Sequence, residues 1–172
     1  IAGMEAFAKD IIEGTVEFCP VYKPNFAFYE RYGSKGYALL ERMVDFINGR
    51  ALVIADAKRG DIGNTSHQYA KAILDNMGFD AITISPYMGR DAIEPFIGND
   101  EKGVFVLCIT SNIGAAEIQN NTNDSLPLYQ RVIMIANELN KNDNMGLVVG
   151  ATQINIMEKI QKISNGLSWR IK

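Results

Sequence analysis

Short apolar runs alternate with longer patterns of helical period along this sequence, and that alternation limits the fold more than any other feature. Residues 51–55 form a near-continuous apolar run, the mark of a strand buried on both faces. Residues 81–85, 104–109 and 146–149 are similar runs. Residues 17–22 read as a shorter strand, weakened by Pro20, which cannot donate to a ladder. Between them lie helical patterns, beginning with Met4, Phe7, Ala8, Ile11 and Ile12 at the very start of the chain. Residues 34–47 repeat apolar side chains at Tyr37, Leu40, Met43, Val44 and Ile47 after a Gly33-Ser34 start signal. Further helices are expected over about 65–77, 91–97, 126–139 and 154–163, and residues 167–172 begin one more strand pattern. Strand–helix alternation implies right-handed crossovers and a parallel sheet, closed as a (β/α)8 barrel or left open and doubly wound. Neither the Gly-x-Gly-x-x-Gly fingerprint nor a P-loop is present to support the open, nucleotide-binding alternative.

Composition narrows the function classes. With 47% hydrophobic and 22% charged residues, the 172-residue chain is neither disordered nor fibrous in type. Its 17 basic and 20 acidic residues give a net charge of −3, which offers no general attraction to nucleic acid. No apolar run reaches the roughly 18–20 residues of a membrane span. The first residues, Ile1-Ala2-Gly3-Met4-Glu5, lack the basic stretch and apolar run of a secretion signal, so a cytoplasmic protein is expected. Cys19 and Cys108 lie in apolar runs and read as reduced core residues, and no Cys/His cluster suggests zinc.

The chemistry concentrates in Asp56-Ala57-Lys58-Arg59-Gly60-Asp61-Ile62-Gly63-Asn64-Thr65, which starts at the C-terminal end of the 51–55 run. Side chains alternate along a strand, so Asp56 and Lys58 are expected on one face. Ionisable groups at the C-terminal end of a barrel strand stand where such folds place catalysis. Gly60 and Gly63 permit a sharply turning loop that carries Asp61. Taken alone, Asp-x-Lys-x-x-Asp is as readily a salt-bridged strand end as a catalytic array. Ser111 and Thr65, alone, read as helix caps. His67 is expected on a helix surface, and Tyr87 and Met88 in packing positions.

The extended motif closely resembles the signature of orotidine 5′-monophosphate decarboxylases, in the variant of many bacteria and some protozoa. Four other segments resemble that family in its own order. They are residues 22–30 (YKPNFAFYE), 85–89 (SPYMG), 107–112 (LCITSN) and 149–152 (VGAT). Ile109 stands where the variant commonly has lysine, and Ile113 where it commonly has proline.

The resemblance implies a (β/α)8 TIM barrel that converts orotidine 5′-monophosphate to UMP and CO2 without metal or organic cofactor. It implies a charged array of Lys23, Asp56, Lys58 and Asp61, with Lys58 protonating C6 as CO2 leaves. Asp56 and Asp61 would keep Lys58 charged and aimed, since neighbouring opposite charges favour the charged form. Asn25, Ile62, Thr65 and Ser111 would bind substrate. A homodimer with shared sites is implied, Asp61 and Thr65 reaching the partner's site. Residues 1–172 would form one partial barrel domain, its first strand preceding Ile1 and its last two βα units following Lys172, because such barrels typically run about 250 residues. Two alternatives stay open: a related sugar-phosphate lyase or decarboxylase barrel using Mg²⁺, and a non-catalytic fragment of the decarboxylase.

Overall fold

The computed structural model describes residues 1–120, 126–152 and 154–163. Helix α1 spans Ala2–Thr15, strand β1 Val21–Tyr22, α2 Ala27–Glu30, α3 Ser34–Ile47 and β2 Leu52–Arg59. Helix α4, Gly63–Ala70, runs on as a π-helical stretch, Lys71–Asn76, before strand β3, Ala81–Ile84. Strand β4 is Gly103–Ile109, followed by α5 (Ala115–Ile118), α6 (Leu128–Leu139), β5 (Met145–Val149) and α7 (Ile154–Ile163). The hydrogen-bonded strand order follows the chain, β1-β2-β3-β4-β5, and the β1–β2 and β4–β5 pairs are parallel. Parallel neighbours joined through helices are what the alternating sequence pattern requires.

Contacts group the chain into two compact units, residues 1–57 with 68–82 and residues 58–67 with 83–172, and the chain passes between them within β2, α4 and β3. In the first unit, α3 buries Gly36, Leu39, Leu40, Met43 and Ile47 on one stripe, as its spacing predicts. It ends where Asn48 takes a left-handed conformation (φ 46°) and donates its N–H to the Val44 carbonyl, a helix stop suited to asparagine. Phe26 is fully buried, edge-on to Tyr37 (ring centroids 6.4 Å apart) and tilted on Phe79 (5.4 Å). Gly36 is required for packing, since a Cβ there would fall 1.8 Å from the Tyr29 carbonyl oxygen. In the second unit, β4 and β5 pair from Val104↔Met145 to Ile109↔Val149 and bury Val106, Cys108, Leu147 and Val149. Helix α6 adds Tyr129, Val132, Ile133 and Ala136 to the buried set.

Several expectations need correction. The first strand is only Val21–Tyr22, because the N–H groups of Phe18 and Cys19 still donate to the Thr15 carbonyl, extending the end of α1. The second strand does not stop at residue 55 but continues to Arg59, and Leu52 at its start is 54% exposed rather than buried. The expected helix at 91–97 is two 3₁₀ turns, Arg90–Ala92 and Glu94–Phe96, since Pro95 brings no N–H to a continuous ladder. The helix expected from Thr65 begins at Gly63. Cys108 is buried, its thiol pushed up to about 12 by burial, but Cys19 is only half-buried and donates to the Val21 carbonyl. The strand expected over 167–172 lies outside the described residues. Among the described residues, no helix is long and apolar enough to cross a membrane.

Helices α1 and α3 are tied by Glu5, which accepts from Arg42 Nη2 at 2.7 Å and from Lys9 Nζ at 3.0 Å. The Arg42 guanidinium, then Lys9, holds its carboxyl down to about 2 from an ordinary 4.5. A depressed folded value means the unfolded chain binds the proton more readily. The stabilisation is therefore full above about pH 4.5 and is lost as pH falls toward 2. In urea titrations, the stability gap between wild type and Glu5→Gln should be constant from pH 7 to 5 and close between pH 4.5 and 2. A gap independent of pH would show the ion pairs to be idle.

Candidate active site

The site residues of the first unit are assembled by backbone pairing. Beyond β1 the chain stays beside β2, because Asp56 N–H donates to the Pro24 carbonyl (3.1 Å) and Phe26 N–H to the Asp56 carbonyl (3.2 Å). Asn25 and Asp56 form a parallel bridge at the same level. Pro24 is tolerated here because the register uses its carbonyl rather than the N–H it lacks. This pairing brings Lys23 Nζ to 2.6 Å from Asp56 Oδ2, with the aspartate side chain 8% exposed and the lysine 37%. A carboxylate so buried is costly unless paired, and a charge-assisted bond of this length supplies the pairing. Asn25 Oδ1 accepts the Ala27 N–H (3.1 Å), which starts α2 and holds the turn that follows.

The residues of the second unit begin at Lys58. It has φ 50°, a left-handed conformation inside a strand, where a side chain other than glycine's costs about 1–2 kcal/mol. Its N–H donates to Thr83 Oγ1 at 3.0 Å. Lys58 therefore departs from the extended backbone that regular alternation along the strand assumes. Asp56 is buried and Lys58 exposed. The Arg59 carbonyl accepts Ser85 N–H at 2.7 Å, and a Cβ at Gly60 would stand 2.8 Å from the Ser85 carbonyl oxygen, so only glycine fits this crossing.

The loop then closes on itself. Ser66, fully buried, donates its hydroxyl to the Asp61 carbonyl (2.6 Å) and its oxygen accepts Asp61 N–H (3.0 Å). Asp61 Oδ1 accepts the Ile62 N–H at 2.7 Å. The N–H groups of Thr65 and Ser66 both donate to the Ile62 carbonyl, forming the first turn of α4. Asp61, Ile62 and Thr65 thus share one loop–helix junction, with Ile62 62% exposed and Thr65 exposed. Ser111 follows β4, exposed, and its backbone nitrogen would lie 3.0 Å from any Cβ added to Gly150. Beside it Thr110 donates its N–H to Gln119 Oε1 (2.8 Å) and its hydroxyl to Asn112 Oδ1 (2.6 Å).

Backbone pairing therefore gathers Lys23, Asn25 and Asp56, the loop gathers Asp61, Ile62 and Thr65, and Lys58 follows Asp56 along β2. Ser111 stands on a separate loop. Tyr87 (80% exposed) and Met88 (53%) are not the packing residues expected; they lie in a turn closed by the Gly89 N–H on the Pro86 carbonyl (2.9 Å). His67 is exposed, as expected. Sequence reasoning overlooked Thr83 and Ser66. For Thr83 the signal was a single hydroxyl within the otherwise apolar run Ala81-Ile82-Thr83-Ile84. Among the described residues, no three His, Cys, Asp or Glu side chains gather as a metal-holding group.

Strand β2 carries Asp56, Lys58 and Arg59 at its C-terminal end, the end at which α/β barrels place their active sites. The model of the orotidine 5′-phosphate decarboxylase / HUMPS family matches residues 4–170, and the chain belongs to that family. It is 47% identical over 167 residues to an orotidine 5′-phosphate decarboxylase of Dehalococcoides mccartyi, covering 94% of this chain and 62% of that protein. The solved OMP decarboxylase of Leishmania donovani superposes with a TM-score of 0.92 at 38% identity, over 99% of this chain and 68% of the other. The UMP synthase of the same organism matches equally well (TM-score 0.92, 38% identity), but over 38% of its length. The chain spans about three-fifths of the curated relatives it matches. The fold is α/β, part of a (β/α)8 barrel.

Proposed function

We propose that this chain carries the reacting centre of an enzyme that converts orotidine 5′-monophosphate to UMP and CO2 in pyrimidine biosynthesis. The observation that carries the proposal is the Lys23–Asp56 ion pair at 2.6 Å on the strand that two residues later presents Lys58. The family and the likeness to named decarboxylases support the same reading. The chain would form part of a single barrel domain in the whole protein.

In the reaction, the bond between C6 and the carboxylate carbon breaks and CO2 leaves without the electron pair. That pair stays on C6, and the Lys58 ammonium gives C6 its proton, leaving UMP and a neutral lysine that regains a proton from water. A fixed cation beside C6 favours the transition state more than the substrate, which is what accelerates the step. Asp56, itself anchored by Lys23, and Asp61 would orient Lys58 toward C6. Lys23 and Asn25 would reach the ribose, Ile62 and Thr65 would line the nucleotide, and Ser111 would bond the pyrimidine. No residue in this scheme calls for a metal or organic cofactor, and turnover should persist in EDTA.

Lys58→Ala in the full-length protein should abolish decarboxylation while UMP binding stays measurable by calorimetry. Activity above roughly a few per cent of wild type would remove Lys58 as the essential acid.

We also propose a soluble cytoplasmic homodimer with shared sites, in which Asp61 and Thr65 serve the partner's nucleotide. Partial activity should return when an inactive Lys58 variant is mixed with an inactive Asp61 variant, since some hybrid sites then carry neither change. A full-length protein fully active as a dilute monomer would contradict this.

A further inference from the structure

A residue other than glycine in a left-handed conformation needs a local reason. Asn48 has one as the stop of α3, and Asp143 lies in the turn before β5. Lys58 has neither, for it sits inside β2, where extended backbone is the rule. Its N–H meets a side chain on the neighbouring strand, donating to the hydroxyl of Thr83 at 3.0 Å. Thr83 is fully buried in β3, between Ile82 and Ile84, which are also fully buried. A hydroxyl placed among such neighbours is worth burying only where it makes hydrogen bonds. An acceptor on a side chain lets the strand turn at this residue while its N–H stays satisfied.

We propose that Thr83 is a positioning residue for the decarboxylation: its buried hydroxyl accepts the Lys58 N–H and holds the lysine backbone in the left-handed conformation from which its ammonium serves C6. Thr83 touches no reacting atom and acts through Lys58. The inference rests on the assignment of Lys58 as the proton donor. Catalytic groups displaced by about 1 Å can lose roughly a hundredfold in rate, so loss of this bond is expected to reach turnover rather than binding.

The test uses the full-length protein, with Thr83→Val to remove the acceptor at nearly constant volume and Thr83→Ser to keep it. Thr83→Val should lower kcat by about 10- to 100-fold, with KM and UMP affinity within about threefold of wild type. Thr83→Ser should recover kcat to within about threefold, a rescue that a purely structural role would not predict. Amide hydrogen exchange of Lys58 supplies an independent readout: slow in wild type, at least about tenfold faster in Thr83→Val, and slow again in Thr83→Ser. Unchanged kcat in the valine variant, equal losses in both variants, or a fall in UMP affinity matching the fall in kcat would overturn the inference. A rapidly exchanging Lys58 amide in wild type would overturn it without any variant. The reading of Lys58 as the acid fails separately, if the wild type releases no CO2 from orotidine 5′-monophosphate or Lys58→Ala stays active.

Discussion

The burial of Asp56 is the constraint on which the arrangement depends. A carboxylate with 8% of its side chain exposed is costly to bury unless paired, and Lys23 pairs it from a segment thirty-three residues earlier. That segment reaches Asp56 because its backbone continues the pairing of β1 with β2 past the last residue of β1, through Pro24, Asn25 and Phe26. Phe26 then anchors the turn in the core against Tyr37 and Phe79. The ion pair and the core packing therefore rely on one register. A slip of one residue in it would separate the charges and expel Phe26 together.

The same strand accommodates two opposite demands within three residues. Asp56 is buried and paired, whereas Lys58 is exposed and left-handed. Ala57 between them is buried and small, and Gly60 beyond them lets the chain pass the Ser85 carbonyl. Strain at Lys58 is held by the Thr83 hydroxyl, and the following loop is clamped by Ser66 on both backbone groups of Asp61. Preorganisation of this kind favours electrostatic catalysis, because groups already in place need no reorganisation as charge develops.

Much of this was legible in the sequence, for definite reasons. The bounds of α3 coincide with its apolar periodicity because Gly33 and Asn48 punctuate both ends. The motif from Asp56 to Thr65 was readable as a strand followed by a Gly-bearing turn and a helix. The extent of β2 was not, since its last residues are charged and its partner, Pro24, lies far away in sequence. Helix α2 is too short to show a period, and it is begun by an Asn25 side chain rather than by an apolar pattern. Thr83 and Ser66 stayed hidden because a hydroxyl reveals its role only through its partner. In Thr83 that partner is twenty-five residues away, on another strand.

A crystal structure of the full-length protein with UMP bound tests the central claim most directly. The account predicts Lys58 Nζ within about 4 Å of C6 of the pyrimidine, with Lys58 still left-handed and Lys23 still paired to Asp56. UMP seated away from β2, or C6 turned from Lys58 with the ion pair intact, would contradict it.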